Sequence, residues 1–175
     1  VDGKKLAQIL NGSDQILIEK ISDTKYIISD LIVALFVGEN DYKNFKEKWE
    51  GYKRNGELPN IEKGDIYINK GEGFSKIEQS IPLPDNRGKK AEITNLQYKN
   101  SPIFVADNNI GSINADYLEF LADSCDFYYD EIQENISIIK EDELIGIIKP
   151  YDLFTREHEE IVKTIKKFEN VLDLY

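Results

Sequence analysis

A chain of 175 residues with 41% apolar side chains has the size of one domain and enough apolar surface for a packed interior. Its formal charge of −11 repels nucleic acid at long range, and its single cysteine, Cys125, excludes an internal disulfide. No run approaches the ~18 consecutive apolar residues of a membrane span, and the opening Val1-Asp2-Gly3-Lys4-Lys5 does not read as a secretory signal; a reducing, cytoplasmic location is expected.

In chain order, the spacing predicts a helix over 4–10 and strands over 15–21, 25–29 and 31–37. In the first strand Ile16 and Ile18 point one way while Gln15, Leu17 and Glu19 point the other. The segment 31–37 is nearly all apolar, which predicts a strand covered on both faces. Asn40 or Asp41 is placed to cap a helix over 42–54, where Tyr42, Phe45, Trp49 and Tyr52 recur at three- and four-residue spacing. Asn55-Gly56 reads as its stop, and Trp49 as a packing anchor on its apolar stripe. Residues 57–90 are irregular, with Pro59, Gly64, Gly71, Gly73, Pro82, Pro84 and Gly88 around one strand at 65–69. Strands follow at 92–99, 102–106 and 110–113.

A helix at 114–124 then precedes strands at 127–132, 135–140 and 144–149. The last element is a helix over 155–172, capped by Thr155, with Glu157, Glu159 and Glu160 at the positive end of its dipole and a stripe of Ile161, Ile165, Phe168 and Leu172. The order helix, strand, strand, strand thus occurs twice, at 3–37 and 114–151. These elements predict an α+β fold in a single domain, 1–175, in which two helix-plus-three-strand half-units share a core. Half-unit one is 3–37, a helix and irregular insertion fill 40–91, half-unit two is 92–153, and additional helices lie at about 41–54 and 155–172.

Catalytic chemistry finds little purchase. One histidine, His158, and one cysteine cannot build the usual nitrogen-and-sulfur zinc site. Asp107-Asn108-Asn109-Ile110-Gly111 has glycine at the fifth place of a calcium loop and Leu118 at the twelfth, so it reads as a hairpin turn. Lys70-Gly71-Glu72-Gly73 lacks the residues of a phosphate cradle. No catalytic residue, metal or cofactor is therefore expected. Ten carboxylates and one base, Lys140, lie between Asp116 and Glu143, whereas 42–54 is mildly basic through Lys43, Lys46, Lys48, Lys53 and Arg54.

The second half-unit, with Tyr117-Leu118 in its helix and Gly146-Ile-Ile-Lys-Pro-Tyr-Asp-Leu153 at its end, resembles a half-domain of the bacterial DNA polymerase sliding clamp, the processivity factor. Gln15-Ile-Leu-Ile-Glu-Lys-Ile-Ser-Asp-Thr-Lys-Tyr-Ile-Ile-Ser-Asp30 is similar to the clamp's strand, turn, strand and acidic turn. The resemblance covers under half of the chain. It implies a DNA-clamp-like fold and an apolar pocket for partner peptides at Pro150, Tyr151 and Leu153. Lys149 stands where the clamp carries an apolar residue, and 116–124 is acidic where the clamp's channel helices are basic. A protein partner is therefore expected rather than encircled DNA.

The expected function is a non-enzymatic protein-interaction module of a replication or mobile-element system, with self-association left open. One alternative is an acidic nucleic-acid mimic that blocks a DNA-binding protein. A carboxylate-dependent hydrolase is the other.

Overall fold

The computed structural model describes residues 2–79, 83–84, 88–119 and 124–151, with Glu159, Glu160 and Lys163. In chain order, α1 (Gly3–Leu10) leads to β1 (Ile16–Lys20), β2 (Lys25–Ser29) and β3 (Val33–Gly38). Next come α2 (Glu39–Glu50) and the hairpin β4 (Ile66–Asn69) and β5 (Phe74–Ile77). The meander β6 (Lys89–Tyr98), β7 (Ser101–Ala106) and β8 (Asn109–Ser112) precedes α3 (Ala115–Glu119), and β9 (Asp126–Asp130), β10 (Asn135–Lys140) and β11 (Glu143–Ile148) follow.

The expected α+β, clamp-like arrangement of two half-units does not form. The chain is mostly β: the named strands build one 11-stranded antiparallel sheet in the order β5-β4-β1-β2-β3-β11-β10-β9-β6-β7-β8, and α1, α2 and α3 span only 8, 12 and 5 residues. The physical reason lies at the seam. The last strands of the two expected units, β3 and β11, pair edge to edge through Leu35↔Gly146, Ala34↔Ile147 and Val33↔Ile148. An edge strand leaves N–H and C=O groups unpaired, and here each unit satisfies the other's edge. The stretch read as irregular does the same at the far side, where β4 adds to β1 and β5 adds to β4.

One face of the sheet carries the core. Residues paired directly across neighbouring strands point to the same face, and Tyr67, Ile18, Ile28, Leu35, Gly146, Ile138, Phe127 and Ala91 form one such row from β4 to β6. Leu6, Ala7 and Leu10 of α1 and Tyr42, Phe45 and Trp49 of α2 join these strands in one apolar cluster. Tyr42 stacks on Tyr26 of β2 with ring centroids 3.7 Å apart, and Phe45 lies 5.6 Å from Trp49. Burial pushes the Tyr42 phenol well above its ordinary range.

Several boundaries move for local reasons. Helix α2 begins at Glu39, with Gly38 at its N-cap and no side-chain cap, rather than at Asn40 or Asp41. It closes at Gly51, before Asn55-Gly56, and Asn55 instead donates from Nδ2 to the Trp49 carbonyl at 3.1 Å and to Asn11 Oδ1 at 3.0 Å. Strand β3 starts at Val33 because Asp30 Oδ1 accepts the Ile32 and Val33 amides at 2.7 and 2.8 Å and holds the chain in a turn. Leu31, expected inside a covered strand, is consequently 69% exposed.

The β11-to-β8 side of the sheet curls. The register of β6 shifts between Ile93 and Gln97, and such an irregularity bends a strand. The first part of β6 pairs with β9 and the rest with β7. Phe104 of β7 then lies 5.3 Å from the Tyr129 ring of β9. The outer strand β8 reaches the segment after β11, where Tyr151 N donates to the Ser112 carbonyl at 2.8 Å and Ser112 N to the Tyr151 carbonyl at 3.4 Å.

At the other edge, Lys76 of β5 meets Asp65 at 2.8 Å. The hydrogen bond from Lys76 holds the Asp65 carboxyl below its ordinary value. A depressed carboxyl contributes stability above its unfolded value, near pH 4, and loses it as pH falls through the folded value. Lys76→Gln should therefore speed amide exchange in β4 and β5 at pH 7, with the difference from the unaltered chain shrinking in acid. Equal exchange rates at pH 7 would show the pair to be idle.

Candidate interaction groove

The face opposite the main core carries a second registered row: Ile68, Leu17, Ser29, Ala34 and Ile147, on β4, β1, β2, β3 and β11. The row continues through Ser137 and Tyr128 to Lys90. Its middle is small, Ser29 and Ala34, between the larger Leu17 and Ile147, so the floor is recessed. A cavity of about 920 Å³ opens over it, at the end of the sheet where β1, β3 and β10 begin and β2, β4 and β11 finish.

One wall is Ile68, Lys70, Ile77, Glu78 and Gln79, from β4, β5 and the residues just after them. The facing wall is Gln133, Glu134 and Asn135, from the β9–β10 turn, with Lys149 after β11. Gln15, Gln79, Gln133 and Asn135 place four carboxamides on the lining, each both donor and acceptor. Asn135 donates from Nδ2 to Gln133 Oε1 at 3.2 Å, while its Oδ1 is buried without a partner among the described residues. The Ser137 hydroxyl, on the same face, is likewise buried and unpartnered among them.

Leu31 forms the rim and is held there by Asp30. That carboxylate is 8% exposed and accepts four hydrogen bonds: two from the Ile32 and Val33 amides, one from the Tyr117 hydroxyl at 3.0 Å and one from the Ser13 hydroxyl at 3.2 Å. It ties the β2–β3 turn to α3 and to the α1–β1 connection. Burial, and then the adjacent carboxylate, raise the Tyr117 phenol well above its usual range, so it remains a donor.

Of the residues expected to bind a partner, Pro150 is half-buried and Tyr151 is 42% exposed. Tyr151 is held by its backbone bridge to Ser112 and accepts Asn114 Nδ2 at its hydroxyl, 3.3 Å away. Leu153 lies outside the described residues, as do His158 and most of the helix expected at 155–172. Lys149, next to Pro150, does line the groove, and Lys149 N donates to the Ile32 carbonyl at 2.7 Å. Sequence reasoning missed the floor and the rim. The available signal was Leu17, an apolar residue in the polar phase of β1.

The acidic stretch divides. Asp126 and the turn 140–143 lie at one end of the β9–β10 pairing, and Glu131 and Glu134 follow Asp130 at the other. Lys90 stands 3.7 Å from Asp126 and Lys89 stands 2.8 Å from Glu131. Among the described residues no group of three or more histidine, cysteine, aspartate or glutamate side chains could hold a metal ion, and no helix is long and apolar enough to cross a membrane. No protein-family model, curated protein or solved structure matches this chain.

Proposed function

We propose that this chain is a non-enzymatic interaction module that receives an extended apolar segment of a protein partner in the groove over β4, β1, β2, β3 and β11, in the cytoplasm. The observation that carries this reading is the registered floor of Ile68, Leu17, Ser29, Ala34 and Ile147 beneath the exposed Leu31. Binding clefts are characteristically concave and apolar with a few polar groups that fix orientation. The carboxamides of Gln15, Gln79, Gln133 and Asn135 suit the alternating N–H and C=O groups of an extended backbone, and the recessed centre suits a side chain projecting from it.

A randomised peptide library displayed against the intact chain tests this. Selected peptides should be apolar at alternate positions and should bind Leu31→Asp at least tenfold more weakly, since a charge would then sit in the apolar contact. Leu31 is exposed, so its replacement should leave the fold intact. Tyr151→Ala tests the neighbouring site that the sequence suggested. Peptides that bind Leu31→Asp as tightly as the unaltered chain would overturn the groove assignment.

A further inference from the structure

The two most exposed large apolar side chains among the described residues border the same groove: Ile132, 94% exposed, and Leu31, 69% exposed. Ile132 sits in the β9–β10 turn, whose next residues, Gln133 and Glu134, form a groove wall. We infer that the Ile132 turn of one copy seats in the groove of a second copy, so that the chain forms a two-fold dimer through this face. The inference rests on the groove being an interaction site and adds what occupies it when no other partner is bound.

Turns are ordinarily built from small and polar residues, yet this one is fastened around an isoleucine. Asp130 Oδ1 accepts the Ile132 and Gln133 amides at 2.8 and 3.4 Å. The Glu131 carboxylate accepts Lys89 Nζ and Asn109 Nδ2, both at 2.8 Å. The knob is thus fixed before any contact forms, which lowers the ordering cost of binding. The socket is the recessed floor at Ser29 and Ala34, and the cavity of about 920 Å³ above it has room for the turn as well as its isoleucine. Knob and socket lie side by side on one face. A two-fold axis between them sets each knob opposite the other copy's socket, which makes a closed, isologous contact.

Charge favours the same occupant. Two chains of −11 repel each other over most of their surface. The groove, in contrast, carries Lys70 and Lys149 against Glu78 and Glu134, with Asp30 buried in its four hydrogen bonds. This face is close to neutral, and Glu134 beside the knob meets a socket that holds both lysines.

Sedimentation velocity of the intact chain, up to about 1 mM, tests this. A reversible monomer–dimer equilibrium is expected. Ile132→Asp should weaken it about a hundredfold, about tenfold for each of the two knobs, because a charge replaces an apolar contact. Ile132 is exposed, so its replacement should leave the circular dichroism unchanged. Leu31→Asp damages the socket rim instead. Mixing the two variants restores one intact knob opposite one intact socket, so the mixture should dimerise more strongly than either variant alone. A chain that stays monomeric, a dimer indifferent to Ile132→Asp, or a mixture no stronger than its components would overturn the inference. Peptides captured by a chain that stays monomeric would leave the groove reading standing without it. A dimer broken by Ile132→Asp, with no peptide selected, would support the self-docking and remove the peptide reading.

Discussion

Asp30→Ala is expected to destabilise the chain by about 4 kcal/mol, the loss of a hydrogen-bonded charge together with the partners it leaves behind. The side chain accepts the Ile32 and Val33 amides and the Tyr117 and Ser13 hydroxyls. Tyr117 is 5% exposed, so its hydroxyl has little access to replacement water. Single domains are commonly stable by only about 5–15 kcal/mol, so a large part of the margin would disappear. The melting temperature should fall by about 10 °C. Asp30→Asn keeps Oδ1 as an acceptor for the turn and should cost less than half as much. Tyr117→Phe removes one hydrogen bond and should cost about 1–2 kcal/mol. Urea unfolding of the three variants checks the order, and equal midpoints for Asp30→Ala and the unaltered chain would show that the network holds nothing together. Because Asp30 positions Leu31, peptide capture by Asp30→Ala should also fall where the protein remains folded.

Gly3→Ala is expected to cost about 3 kcal/mol, although alanine is the better helix former and Gly3 opens α1. The loss comes from the approach of α2. A Cβ on Gly3 would overlap the Asp41 carbonyl oxygen and crowd the Phe45 amide nitrogen, both backbone atoms that no rotamer change can move aside. The two helices would have to separate, loosening the packing of Leu6, Ala7 and Leu10 with Phe45 and Trp49. Thermal unfolding followed by circular dichroism reads the loss. Tryptophan emission should shift red if Trp49 gains solvent in the native state. A variant as stable as the unaltered chain would mean that α1 can slide along α2 without loss.

The local elements were largely legible. Alternation in Ile16 and Ile18, and the three- and four-residue spacing of Tyr42, Phe45 and Trp49, follow from which face must leave water. The turns were harder to see, because Lys99 and Asn100, and again Glu141 and Asp142, take positive φ without a glycine to announce it. Strand β5 escaped notice because Phe74-Ser-Lys-Ile77 is only half covered, which weakens the apolar signal. Leu17 lay in plain view, yet an apolar residue in a polar phase acquires meaning only when Ile68, Ser29, Ala34 and Ile147 are placed beside it.

What the amino-acid order determined by itself was most of the helices and strands among the described residues, β5 excepted, and the core-facing sides of β1 and α2, since side-chain periodicity is a local property read along one segment. What only the tertiary structure decided was which strand edges would meet. The β3–β11 seam, the β6–β9 pairing and the Ser112–Tyr151 bridge are hydrogen-bonded backbone pairings between residues distant in the chain. Backbone N–H and C=O groups are chemically the same at nearly every position, so side chains declare little about their partners. Those pairings turned two expected half-units into one sheet and opened the groove across it.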